Sequence, residues 1–212
     1  MLTIYGVYRS RASRPLWLLG ETGTPYRHVP VIQAYRLADP AAPDAPLNTA
    51  SPDYLAVNPM GQIPAMTEGD LLLTESMAIT LHLARMHGGA IGPQDAAEAA
   101  LAENWAFFAA TSIEGPALAL LQAPAGDSAA VAAAAEKLAR PLARLETHLA
   151  GADWMMGGRF TVADICVAEC ARYAQGQAAL FDAHPAVKAW LARCHARPAF
   201  QAMWAARMAE PA

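Results

Sequence analysis

The sequence predicts two domains: an α/β domain of order β-α-β, loop, β-β-α over residues 1–86, then an all-α helical bundle over residues 93–212. Three observations carry this. Short β-type apolar runs stop at Leu71-Leu72-Leu73. Gly88-Gly89 and Gly92-Pro93 break the chain soon after. Beyond that break, alanine-rich stretches repeat their apolar residues at helical spacing.

The elements follow in order. Leu2-Thr3-Ile4-Tyr5 is a short strand ending at Gly6, and Leu16 to Leu19 form an apolar helical block closed by Gly23 and Thr24-Pro25. Tyr26 to Ile32 is a second strand, so the two strands run parallel around a crossover helix. From Ala34 to Pro52 the pairs Asp39-Pro40, Pro43-Asp44, Ala45-Pro46 and Ser51-Pro52 bar a regular helix or central strand. This is a long loop with one helical turn near Asp53 to Val57, and long loops within compact domains tend to be functional or mobile. Ile63 to Met66 and Leu71 to Leu73, around Glu68-Gly69-Asp70, make a hairpin. Thr74-Glu75-Ser76 then opens a helix whose inner face is Ile79, Leu83 and Met86.

In the second domain Asp95 to Gln122 is helical and bent at Gly115-Pro116. Ser128 to Leu149 follows, with Leu138, Leu142, Leu145 and Leu149 on one face and a bend at Pro141. Thr161-Val162-Ala163-Asp164 has the form of a capping box with Asp in place of Glu, opening a buried helix through Tyr173. Another helix starts at His184-Pro185 and ends near Arg197-Pro198, and an amphipathic tail carries Phe200 and Trp204.

Composition narrows the function. Hydrophobic residues are 55% and charged ones 16% of the 212, enough for a sizeable core. A formal net charge of −4 lacks the basic surplus of a nucleic-acid binder. No apolar run approaches the ~20 residues of a membrane span, and the N-terminus lacks the pattern of a signal peptide. Cys166, Cys170 and Cys194 have no framework spacing; they read as small buried hydrophobes in a reducing, cytoplasmic setting. His82, His148, His184 and His195 form no cluster, and no metal site is expected.

The ordered segments "NPMGQIPAM", "LLLTESMAITLHLAR" and "GGRFTVADICVAEC" resemble the glutathione transferase superfamily, in the manner of its bacterial, serine-type members. The resemblance spans residues 2 to about 200 and implies a thioredoxin-like first domain that binds glutathione as co-substrate. It implies a cis Ile63-Pro64 bond, with Ile63 pairing to the cysteinyl backbone of glutathione like a strand added to an edge. Gln62, Ile63 and Pro64 thus join Glu75 and Ser76 as glutathione-binding residues. The Glu75-Ser76 pair suits the γ-glutamyl end, Glu75 accepting from its ammonium and Ser76 with the first-turn N–H groups holding its carboxylate. Ser76 as a simple helix cap is the structural alternative.

The same resemblance places a hydroxyl beside the glutathione sulfur, just after the first strand. Tyr5, Tyr8, Ser10 and Ser13 are the candidates; Ser10, four residues before Arg14, is favoured as catalytic thiolate donor, with Ser13 as N-cap and Tyr5 as a strand residue. Arg9 stands where the cysteine-type bacterial members carry Cys, which disfavours a thiol-dependent redox role. Tyr8, Arg9, Trp105, Phe108 and Ser112, with Thr111, are candidates for the pocket of an apolar electrophile, ordinary bundle packing being the alternative for the helical ones. Asn48 and Gln62 are candidate donors to the glycyl end. Asp164 reads as a structural cap whose loss costs about 0.5–2 kcal/mol. A homodimer is expected from the family. Against the transferase stands a non-catalytic glutathione-binding or stress-regulatory member that retains the binding motifs.

Overall fold

A computed structural model of the chain describes residues 1–210 and divides into two compact units. Unit one comprises residues 1–87 with 198–210, and unit two residues 88–197. The expected boundaries therefore differ at the far end: the tail from Pro198 groups with the first unit, and residue 212 lies outside the described residues.

In the first unit, β1 (Thr3–Tyr5) pairs parallel with β2 (Arg27–Val29) and antiparallel with β3 (Ala65–Glu68), which pairs antiparallel with β4 (Leu71–Thr74). The sheet order is β2-β1-β3-β4. The β1–β2 crossover is α1 (Ser13–Thr22), stopped by Gly23 at φ 65°, a left-handed stop that glycine adopts freely. Leu16, Trp17, Leu18 and Leu19 are all buried, as their clustering predicted.

The expected second strand shrinks to Arg27–Val29, with Ile32 making an isolated bridge to Asn48. The proline-rich loop contains one 3₁₀ turn at Ala34–Arg36 and ends in α2 (Pro52–Leu55). Asn48 organises it: its amide donates to Pro40 O and Pro46 O, both at 3.0 Å, and accepts from Ala50 N at 2.9 Å. It is 1% exposed, so its side chain is committed to the loop, against the expectation of a ligand donor.

After the hairpin, α3 (Ser76–His87) buries Ile79, Thr80, Leu83 and Ala84, while Met86 is 63% exposed. The inner stripe thus follows i, i+1, i+4, i+5, and Met86 falls outside it near the helix end. His82 and His87, a pair outside the sequence reading, flank the Glu68 carboxylate, with Nε2 atoms at 3.6 and 2.9 Å. The tail forms α10 (Pro198–Ala209), which packs on α1: Trp17 meets Phe200 edge-on at 4.9 Å, and Phe200 stacks on Trp204.

The second unit is helical apart from one isolated bridge between Trp154 and Gly157. After a 3₁₀ turn at Gly89–Ile91, α4 (Ala96–Phe108) starts at Asp95, whose side chain accepts from Glu98 N. It runs through a π-helical segment, Ala109–Glu114, into α5 (Gly115–Gln122). The irregularity precedes Gly115-Pro116 because a proline lacks the N–H and crowds the carbonyl four residues back, which the wider π turn accommodates.

Next come α6 (Ser128–Leu149), α7 (Val162–Ala171), α8 (Ala178–Asp182) and α9 (Pro185–His195). The short α8 has no periodic signal long enough to be seen in sequence. On α6, Leu138, Leu142, Leu145 and Leu149 are buried as expected, and Pro141 lies inside the helix. Glu146 on α6 supplies the acceptors that α9 lacks at its N-terminus, taking Ala186 N and Val187 N at 3.0 Å each. The three cysteines are fully buried and are not joined in a disulfide.

A buried polar group joins α7 to α9. Arg172 donates from Nε and Nη2 to the two oxygens of Glu169, at 2.7 and 2.9 Å, and His195 packs beside this pair. Burial pushes the His195 imidazole down to about 4; Glu169 pulls it up, Arg172 down. The unfolded histidine titrates near its ordinary 6.5, so below that value the unfolded chain takes a proton the folded chain refuses. Stability is therefore expected to fall as pH drops from 6.5 towards 4. Melting curves across that range should show a shallower decline for His195→Asn, which retains an acceptor for Gln175; an identical slope would refute the assignment.

No helix among the described residues is long and apolar enough to cross a membrane.

Candidate active site

Sheet register assembles the site. Tyr5 lies opposite Ala65, and Ala65 opposite Thr74. One residue further along each strand therefore places Gly6, Pro64 and Glu75 at the same end of three adjacent strands. The Ile63-Pro64 bond is cis, as expected. Gly6 has φ 143°, and a Cβ there would meet Ala12 Cβ at 3.0 Å and Ile63 Cβ at 3.4 Å. A side chain at residue 6 would thus be strained by both its backbone and its neighbours.

Ile63 is fixed from behind. Tyr54 hydroxyl and Asn58 Nδ2 both donate to Gln62 O, at 2.5 and 2.7 Å. Burial raises the Tyr54 phenol to about 12, against the lowering pull of Asn58, so it stays a donor at neutral pH. Gly61, at φ 59°, has no room for a side chain because Thr49 O would sit 2.7 Å from its Cβ. The Gln62 side chain is exposed and Pro64 is buried.

Glu75 is the single non-glycine residue at positive φ among the described residues, 64°, at the point where β4 becomes α3. That conformation costs of order 1 kcal/mol and leaves its carboxylate exposed at the sheet end. Ser76, the first residue of α3, is 5% exposed and accepts a hydrogen bond from Arg14 Nη1 at 2.7 Å. A serine hydroxyl has one proton to give, so accepting from Arg14 leaves that proton for an external oxygen. Arg14 is itself 1% exposed and places a guanidinium beneath the helix start, a contribution its sequence position did not reveal.

The loop from Gly6 to Ala12 carries the candidate hydroxyls. Ser10 Oγ donates to Val7 O at 2.6 Å and accepts from Ala12 N at 3.0 Å, in front of α1. Ser13 is the first residue of α1 and Ala12 occupies the cap position, so the expected Ser13 cap is not formed. Tyr5 lies in β1, as expected. Tyr8 turns to β2: its ring meets His28 edge-on at 5.2 Å, and its hydroxyl bonds Tyr26, whose phenol burial raises well above the ordinary range. His28 Nε2 donates to Gly6 O at 2.7 Å. Arg9 Nε donates to Arg207 O at 3.0 Å.

In the second unit Trp105 and Phe108 do meet, 5.7 Å apart and edge-on, but both rings serve helix packing. Arg144 of α6 lies 4.3 Å over Phe108 and 5.0 Å over Trp105, and His148 contacts Trp105 at 4.8 Å. Trp105 is buried and Phe108 half-buried. Ser112 and Thr111 fall in the π segment, which shifts the helical phase; they do not continue the α-helical stripe that the sequence spacing implied. Thr111 is exposed, its hydroxyl donating to Phe107 O.

A family model described as "Glutathione S-transferase, N-terminal domain" matches residues 1–85, and one described as "Glutathione S-transferase, C-terminal domain" matches residues 99–198. The chain belongs to the glutathione S-transferase family. It is 37% identical to Glutathione S-transferase 3 of Zea mays over 164 residues, 71% of this chain and 73% of the relative. Among solved structures it is similar to glutathione transferase F7 of Populus trichocarpa, with TM-score 0.81, 27% identity and coverage of 98% and 99% of the two chains. It is also similar to the theta class glutathione S-transferase of Xanthomonas axonopodis pv. citri with glutathione bound, at TM-score 0.75, 30% identity and 95% of both chains. The expected placement among bacterial, serine-type members is not supported, because the curated relatives are plant glutathione S-transferases.

Proposed function

We propose that this glutathione transferase binds glutathione along the sheet end formed by Gly6, Pro64 and Glu75, and uses Ser10 to favour its thiolate. The convergence of cis Ile63-Pro64, Glu75-Ser76 and the Ser10 loop at one end of three strands carries this reading. The Ile63 main chain pairs with the cysteinyl backbone, as a strand added to an edge would. Ser76, oriented by Arg14, and the first N–H groups of α3 take the γ-glutamyl carboxylate, and Glu75 takes its ammonium. Gln62 is the remaining candidate contact.

The thiolate is the nucleophile, and a thiol of ordinary pKa near ~8.5 is a few per cent ionised at neutral pH. A hydroxyl proton directed at sulfur lowers that value. Ser10 has one such proton, which now points at Val7 O; on binding the hydroxyl keeps it and redirects the hydrogen bond to the sulfur, favouring the thiolate. The thiolate then attacks an apolar electrophile, for which Tyr8 and Arg9 on the loop are the candidate contacts.

The three buried cysteines, not joined in a disulfide, fit a reducing, cytoplasmic setting, and conjugation of an apolar electrophile fits a detoxifying role. Exposed Met60, Leu71 and Leu72 support association as a homodimer, β4 being an edge strand.

Calorimetric titration with glutathione, beside turnover of an aryl halide, tests the function; absence of saturable binding would overturn it. Glu75→Gly tests the γ-glutamyl contact. Relief of the positive φ is expected to leave Tm no lower, while loss of the ammonium acceptor raises the glutathione Kd about tenfold or more. An unchanged Kd would remove Glu75 from the site.

A further inference from the structure

Every main-chain polar atom of the two residues before Ser10 is taken by a side chain from elsewhere in the first unit. Glu210 Oε1 accepts from Tyr8 N at 2.7 Å, and its Oε2 accepts from Arg9 N at 2.8 Å. Arg207 Nη1 donates to Tyr8 O at 2.6 Å, and Gln33 Nε2 donates to Arg9 O at 3.1 Å. Arg9 returns the contact by donating from Nε to Arg207 O. Short connecting loops usually satisfy such groups with water or with their own turns. This one is gripped by a carboxylate and a guanidinium from the end of α10, more than 190 positions away in the chain.

We propose that Glu210 and Arg207 are positioning residues for Ser10, a clasp that fixes the height and direction of the loop so that the Ser10 hydroxyl meets the glutathione sulfur. The inference rests on the reading of Ser10 given above. Its physical basis is that both carboxylate oxygens engage consecutive N–H groups, a two-point contact that sets orientation as well as distance. Arg207 and Gln33 hold the two carbonyls, so the peptide planes leading into Ser10 can neither rotate nor slide. Arg207 is in turn held over the Trp204 ring at 5.3 Å, tying the clasp to the packed face of α10. A reacting group misplaced by about 1 Å loses on the order of a hundredfold in rate, so a loop without this grip should bind glutathione but activate it poorly.

The experiment compares wild type, Glu210→Ala, Glu210→Gln, Ser10→Ala and Phe200→Leu by pH–rate profile, glutathione titration and melting. Phe200→Leu loosens the packing of α10 on Trp17 while leaving Glu210, Arg207 and Gln33 in place, and is expected to lower Tm with an unmoved pH–rate profile. Glu210→Ala is expected to lower kcat about tenfold, with the glutathione Kd changed less than twofold. The rising limb of its profile should move towards the pH at which free glutathione ionises. Glu210→Gln, which offers an acceptor to one N–H and opposes the other, should fall between.

An unchanged profile and kcat in Glu210→Ala, with Ser10→Ala impaired, would overturn the clasp and leave the role of Ser10 standing. A limb displaced to lower pH would also overturn it, showing the carboxylate to act as a charge opposing the thiolate. Full activity in Ser10→Ala would remove both readings together.

Discussion

Ser10→Ala is expected to reduce kcat/KM for aryl halide conjugation at neutral pH by about ten- to a hundredfold while leaving the glutathione Kd nearly unchanged. A hydrogen bond to a charged acceptor contributes roughly 1.5–3 kcal/mol, and each 1.4 kcal/mol is a factor of ten. The binding groups, Ile63, Glu75 and Ser76, are untouched by the change. The deficit should shrink at high pH, where glutathione ionises unaided, so the ratio of the two rates across pH reads the thiol directly. Ser10→Thr keeps the hydroxyl and should restore much of the activity. Because Ser10 Oγ also bridges Val7 O and Ala12 N, a modest drop in Tm is expected too, and the threonine variant separates that from the chemistry. A rate ratio that stays constant with pH would mean Ser10 shapes the loop without acting on sulfur.

Asp164→Ala is expected to be the most damaging single change to stability, at about 4 kcal/mol, without altering glutathione affinity in the protein that remains folded. The sequence suggests a cap of modest value; the structure shows a fully buried carboxylate that serves three segments. It accepts from Thr161 N at 2.9 Å and Thr161 Oγ1 at 3.2 Å, from Met155 N at 2.9 Å and from Trp190 Nε1 at 2.8 Å. Burial raises its pKa above the ordinary carboxylate value, and these hydrogen bonds oppose that rise. Alanine would strand the Trp190, Met155 and Thr161 donors in the interior, each costing roughly 1–3 kcal/mol. For a chain of this size the expected fall in Tm is about 8–16 °C. A loss of less than 2 °C would show that those donors find other partners.

The α/β order and most helix bounds were legible because they rest on local signals. Gly23 stops α1, Asp95 caps α4, and the leucines of α6 keep their spacing through Pro141. The cis Ile63-Pro64 bond and the helix start at Glu75-Ser76 were legible because each signal lies in contiguous residues. What escaped depended on contacts between distant positions. Met86 was misplaced because two periods fit the same helix, and only packing on the sheet chooses between them. The stripe from Trp105 to Ser112 failed because a π turn changed its phase. In sequence Arg14 is only the landmark four residues after Ser10, and nothing in its neighbours announces that it is buried against Ser76. Glu210 and Arg207 carry no local pattern at all.

The grouping of Pro198–Glu210 with residues 1–87 has a consequence for how the protein comes into being. The helical unit is an insertion within another body, so the first body stays open while 110 intervening residues, 88–197, are synthesised. Until α10 arrives, Trp17 and the outer face of α1 lack their cover, and Ala199 has yet to close over Gly20, where a Cβ would lie 3.4 Å from its own. A nascent chain halted after the helical unit would expose this apolar surface and hold its serine loop unfastened. Ribosome-bound chains of increasing length should therefore acquire protease resistance in residues 1–87 late, after the helical unit has become resistant, reversing the order in which the two were made.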